Sequence, residues 1–163
     1  MNKIVKLAVF LAVIAGLSGL CMSFVNNLTA PVIEANTAAK ELGALSEIFP
    51  NATFTTEEGN GGVVTAVYSC DDGVVYNIST QGFGGTVSFM LAIDNNGKYI
   101  GYVCNDCSNE TSGLGSRVGT DEYKEMVLAA DVDTTVDTLS GATVTSTACQ
   151  KAIQEAAEMY KAR

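Results

Sequence analysis

The sequence predicts an α+β protein: an antiparallel sheet with flanking helices, preceded by one N-terminal transmembrane helix. Three observations predict it. Residues 7–25 form an apolar run without a charge. Between residues 63 and 104, short β-branched and aromatic stretches alternate with turns rich in Gly, Asn and Asp. Two stretches of helical periodicity, near 121–128 and 146–162, follow the strands instead of alternating with them, which is the order of an α+β chain.

At ~1.5 Å per residue the apolar run is close to the length that crosses a bilayer core. Lys3 and Lys6 precede it, and no Lys or Arg follows until Lys40. The positive-inside rule then predicts a single-pass protein of the cell membrane, with a cytoplasmic N-terminus and an extracytoplasmic C-terminal domain. A cleaved signal peptide shares the charged start, but this run is longer than a usual signal core and no small-x-small site follows it directly. A lipoprotein would use Cys21, yet Leu20 stands where a small residue is expected. Residues 26–53 place Val32, Ile33, Leu42, Leu45, Ile48 and Phe49 at roughly helical spacing. They predict a separate juxtamembrane helix, with Pro31 in its first turn and Pro50 at its end. The expected division is 1–25, cytoplasmic start and anchor; 26–53, juxtamembrane helix; 54–163, folded domain.

The sheet is read from four stretches. Residues 63–68 and 74–80 flank Asp71-Asp72-Gly73 as a hairpin, and residues 87–93 and 99–104 flank Asp94-Asn95-Asn96-Gly97 as another. Gly82-Phe83-Gly84-Gly85 lies between the hairpins. It opens no helix, so it reads as a tight turn and not as a dinucleotide loop. A loop at 105–115, a short acidic helix at 121–128 and an extended piece at 136–139 lead to the terminal helix.

Composition narrows the chemistry. The chain has 163 residues, a net charge of −9 and no His. The charge argues against nucleic acid as a partner, which needs clustered Lys and Arg. The absence of His removes Ser-His-Asp and Cys-His nucleophile systems, His-ligated zinc and a His general base. Five cysteines, an odd number, argue against a fully paired disulfide framework. Cys104-Asn105-Asp106-Cys107 is a CxxC without a second pair or a βα context. A disulfide, plain thiols and a redox or iron–sulfur role all stay open for it.

Two small-residue stretches bracket the acidic helix. Asp137-Thr138-Leu139-Ser140-Gly141-Ala142-Thr143-Val144-Thr145 precedes the terminal helix. Its hydroxyls suit an N-cap, and its free backbone N–H groups suit an anion such as phosphate. Glu110-Thr111-Ser112-Gly113-Leu114-Gly115 would let backbone approach a flat ligand while Leu114 packs on its face, and Arg117 could offset phosphate or reduced-ring charge.

At this pair a resemblance enters. Residues 137–143 resemble the flavinylation motif of the FMN-binding domain family, and residues 110–115 resemble the Glu-Thr-Pro-Gly-Leu-Gly loop upstream of it. The Gly-rich loop at 82–85 and the Asp94 hairpin turn follow the family's order. The anchor and Asn27-Leu28-Thr29-Ala30-Pro31-Val32-Ile33 resemble the start of the RnfG component of the Rnf complex and of its counterpart in the sodium-translocating NADH:quinone reductase. The resemblance implies FMN joined to Thr143 through a phosphoester. It implies a magnesium-dependent flavin transferase that makes the bond from FAD and recognises Asp137, Ser140, Gly141 and Ala142. It adds Thr145, Glu110, Thr111, Gly113, Leu114, Gly115 and Arg117 as cofactor-binding residues, with no catalytic residue beyond the flavin and no metal ligand. It further implies an electron-relay component among other membrane subunits, moving electrons between ferredoxin and NAD with coupled Na+ or H+ transport. The quinone-reductase counterpart, a stand-alone extracytoplasmic flavoprotein and a non-redox anchored scaffold are the alternatives. Ser112 stands where the family has Pro, Cys107 and Ser108 occupy places where it often has His, and Arg117 replaces a frequent Lys.

Overall fold

The computed structural model describes residues 3–50 and 52–163, with the side chains of Glu34, Ala35 and Ala38 outside the described set. Two compact units divide at Ala39 and Lys40. The first is helical, with its large apolar residues from Ile4 to Ile33 exposed. Helix α1 runs from Lys3 to Ile48 without a break, with Pro31 inside it. The separate juxtamembrane helix expected at 26–53 is therefore not found. A proline removes one intrahelical hydrogen bond and crowds the preceding turn, yet the helix continues through it. Asn51, within that expected segment, lies outside the described residues.

The second unit is built on a five-stranded antiparallel sheet in the order β1-β2-β3-β4-β5. Its strands are β1 (Thr55–Glu58), β2 (Val64–Cys70), β3 (Gly73–Gln81), β4 (Thr86–Asp94) and β5 (Tyr99–Asp106). Consecutive antiparallel strands need only short turns, and the turn residues supply them. Gly97, at φ +81, donates its N–H to the Asp94 carbonyl at 3.0 Å, while Asp94 Oδ1 accepts from the Asn96 and Lys98 N–H groups at 2.9 Å each.

Both faces of the sheet are buried. Phe89, Leu91 and Ile93 of β4 join one core with Tyr76, Ile78, Tyr102 and the inner sides of α2 (Asp121–Leu128) and α3 (Thr143–Lys161). Met90 and Ala92, which point the other way by the period of two, pack with Val75 and with Ala44, Leu45 and Phe49. This explains why residues 89–93 read as unbroken apolar sequence rather than as alternation. Strand β1 was not expected. It is polar and exposed throughout, so no hydrophobic pattern marks it. Pairing with β2 and an ion pair between Glu57 and Arg163 hold it in place.

The expected acidic helix coincides with α2. The terminal helix begins at Thr143, three residues earlier than its periodicity suggests, and residues 136–139 form no strand.

Candidate functional site

Three backbone segments meet at the start of α3, and Glu110 ties them together. Its carboxylate is buried, at 7% exposure. Oε1 accepts the Gly84 N–H at 3.0 Å, and Oε2 accepts the Thr145 hydroxyl at 2.8 Å. The Phe83 N–H adds a bond to Thr145 Oγ1 at 3.3 Å. A Cβ at Gly82 would collide with Oε1, and one at Gly115 would collide with Oε2. The glycines are therefore required by the close approach of a buried carboxylate. Burial of a charge demands such partners, and here they are supplied by the 82–85 turn and by α3.

Above this junction lies a pocket of about 350 Å³, lined by Phe83, Thr111, Leu114, Gly115 and residues 141–145. Its rim is apolar and open to solvent: Phe83 is 72% exposed, Leu114 46% and Val144 59%. Gly141 stands at φ +82, and a Cβ there would lie 3.5 Å from Leu114 Cδ2. Thr143, the first residue of α3, is exposed at the edge of the pocket and also lines a more open groove that contains Thr147 and Lys151.

The helix start is uncapped. Its N-cap position is Ala142, no side chain bonds to the first-turn N–H groups, and that turn holds no acidic residue. Neither Thr145 nor Ser146 caps it, because both hydroxyls are committed elsewhere. Thr145 donates to Glu110, whereas Ser146 donates to the Ala142 carbonyl at 2.9 Å and accepts the Leu139 N–H at 3.0 Å. Ser146 thus pins the 139–142 turn against α3. Orphan N–H groups and the helix dipole leave the positive end of α3 beside Thr143.

Arg117 sits in the short 3-10 turn Gly115–Gly119. It donates to the Ser140 carbonyl at 3.1 Å and makes a two-pronged bond to Glu122 at 2.9 Å.

Two family models match the chain. The FMN-binding domain model covers residues 82–158, and the RnfG N-terminal region model covers residues 1–48. The chain is an FMN-binding, RnfG-like protein. No curated protein sequence matches it. The N-terminal match ends where α1 ends, and the FMN-binding match opens at the Gly-rich turn that forms one wall of the pocket.

The residues present fit FMN. The pocket has the size of a small-ligand site, its exposed apolar walls suit a flat ring, and the uncapped end of α3 suits a phosphate. Of the residues expected to bind the cofactor, Thr111, Leu114, Gly115, Gly141, Ala142, Thr143 and Thr145 line the pocket. Glu110 lies beneath it as a strut. Gly113, at φ +75, shapes the loop without lining the pocket. Asp137 and Ser140 are exposed and outside the lining, and Arg117 braces the Ser140 turn while its charge is neutralised by Glu122. Sequence reasoning missed Phe83 and Val144. Phe83 was legible only as part of a glycine turn; an aromatic side chain forced outward between glycines was the available signal.

The FMN-binding domain match and the RnfG match support an FMN-binding protein of the Rnf-subunit type, and α1 contains a stretch long and apolar enough to cross a membrane.

Proposed function

We propose that Thr143 carries FMN covalently, through a phosphoester at its hydroxyl, and that the domain relays electrons outside the membrane in an Rnf-type ferredoxin:NAD oxidoreductase coupled to Na+ or H+ transport. The observation that carries this reading is the position of Thr143. Its exposed side chain stands at the uncapped start of α3, on the edge of the pocket that Phe83, Leu114 and Val144 wall. A phosphate there meets free N–H groups, a contact worth about 0.3–1 kcal/mol at an exposed helix end. When bound, FMN supplies one- and two-electron chemistry that the side chains of a His-free protein lack. The protein's part is to orient the ring between apolar walls and to hold the loop through Glu110.

A flavin transferase acting on FAD is the maturation partner in this reading. Exposed Asp137 and Ser140, away from the pocket lining, offer it a contact beside the attachment point. The match to the RnfG N-terminal region favours the Rnf complex over its quinone-reductase counterpart, and the FMN-binding match favours a flavoprotein over a scaffold. The test is expression with and without the transferase, followed by flavin fluorescence in a denaturing gel. Fluorescence should require the transferase and vanish in Thr143→Ala. A fluorescent band in Thr143→Ala sinks the assignment.

The basic start before the anchor supports a cytoplasmic N-terminus and an outer domain. An alkaline phosphatase fused after Arg163 should be active, as it is only outside the cytoplasm; an inactive but full-length fusion reverses the orientation.

A further inference from the structure

Outside the pocket lining, three thiols are neighbours, and none takes part in the site described above. Cys104 lies on β5, Cys107 in the loop that follows, and Cys149 on α3. All are free, and only Cys149 is fully buried. Residues three apart on a regular strand face opposite sides. Here β5 is irregular: Phe89 pairs with Cys104 while Ser88 pairs with Asp106, so Asn105 is an extra residue in the ladder. The bulge turns the chain and brings both thiols over Gly119. A Cβ there would stand 2.9 Å from Cys107 Sγ and 3.3 Å from Cys104 Sγ. The missing side chain of Gly119 is what gives the two sulfurs their shared space. The Cys107 carbonyl in turn accepts the Glu110 N–H at 3.1 Å, which links the pair to the strut of the pocket.

We propose that Cys104 and Cys107 form a reversible dithiol–disulfide site that exchanges with low-molecular-weight disulfides and, when oxidised, ties the end of β5 to the loop bearing Glu110. Cys107, partly buried and in the loop beyond β5, attacks first. Its thiolate takes one sulfur of the external disulfide and releases one thiolate. The Cys104 thiolate then attacks the Cys107 sulfur, closes the internal bond and releases the second. The protein dithiol loses two electrons and two protons, and the external disulfide becomes two thiols. Burial, reinforced by neighbouring Cys107, pushes the Cys104 thiol up to about 12. The closing step is therefore the slow one near neutral pH. Among the described residues no three or more Cys, Asp or Glu side chains converge as metal ligands do.

The experiment uses the full chain, reduced and purified in detergent, then mixed with oxidised glutathione, quenched with N-ethylmaleimide and digested with trypsin. Lys98 and Arg117 bound one peptide that contains Cys104 and Cys107 and no other cysteine. That peptide should be found two hydrogens lighter and unalkylated, and dithiothreitol should restore it. In Cys104→Ser the reaction should stop as a glutathione adduct on Cys107. In Cys107→Ser, Cys104 should remain alkylatable. Closure should quicken about tenfold per pH unit from 7 to 9, following the Cys104 thiolate fraction. A wild-type peptide that stays fully alkylated, ends as a stable adduct or pairs instead with Cys149 overturns the proposal. FMN is not needed for any of these readouts, so loss of the covalent-flavin reading leaves them unchanged.

Discussion

Glu110 shows how one side chain outside the pocket lining can organise the segments that form it. Its two oxygens meet a backbone N–H and a hydroxyl from segments distant in sequence, and two glycines exist to make room for it. Glu110→Ala should leave the part-buried Gly84 N–H and the buried Thr145 hydroxyl without these partners, lowering stability by about 1–3 kcal/mol in denaturant unfolding. Glu110→Gln keeps an acceptor and a donor in the same space, and should lose less than half as much. Equal losses would show that the carboxylate charge matters more than its hydrogen bonds.

Helix α3 converts core packing into site geometry. Cys149, Ala152, Ile153 and Ala156 bury one side of it against the sheet, while Thr143 at its first turn faces solvent. Ile153 is 1% exposed. Ile153→Ala opens a void there and should cost about 2–5 kcal/mol, read as a lowered unfolding midpoint. The proposed attachment residue, Thr143, is untouched by this change, so denaturing-gel fluorescence per folded molecule should stay as in wild type. Loss of labelling in a still-folded variant would mean that the transferase reads the pose of α3, not only the residues at its start.

Over the whole molecule, the acidic balance and the buried hydroxyl and thiol groups set the pH response. Burial pushes Tyr99, Cys104 and Cys149 each up to about 12 from ordinary values of 10.0 for Tyr and 9.0 for Cys, and it raises Tyr102 and Tyr123 further. These groups stay protonated in the folded chain after they have ionised in the unfolded one. Their stabilisation is complete below pH 9 and is lost as pH rises from 9 towards 12. On the acid side, backbone N–H groups hold Asp94 and Asp106 below 3.8, so their contribution is present above that value and fades as pH falls beneath it. Thermal melts should give a plateau between about pH 5 and 8.5 with a decline above 9. A midpoint that still rises from pH 9 to 11 would contradict the burial of these groups.

The sequence by itself determined the local features. A charge-free apolar run, β-branched strands between Asn, Asp and Gly turns, and a small-residue stretch before a periodic helix each carry their signal within a few neighbouring residues. The apolar N-terminal helix, four of the five strands and helix α2 were therefore legible. The tertiary structure decided what depends on partners remote in sequence. It kept α1 continuous through Pro31, made a strand of polar Thr55–Glu58 by pairing alone, and moved Phe83 from a turn into the pocket wall. It also turned Glu110 inward and committed Arg117 to Glu122. Propensity and periodicity describe a residue's own neighbourhood, whereas the destination of a buried carboxylate or an edge strand is fixed by which distant backbone groups fold against it.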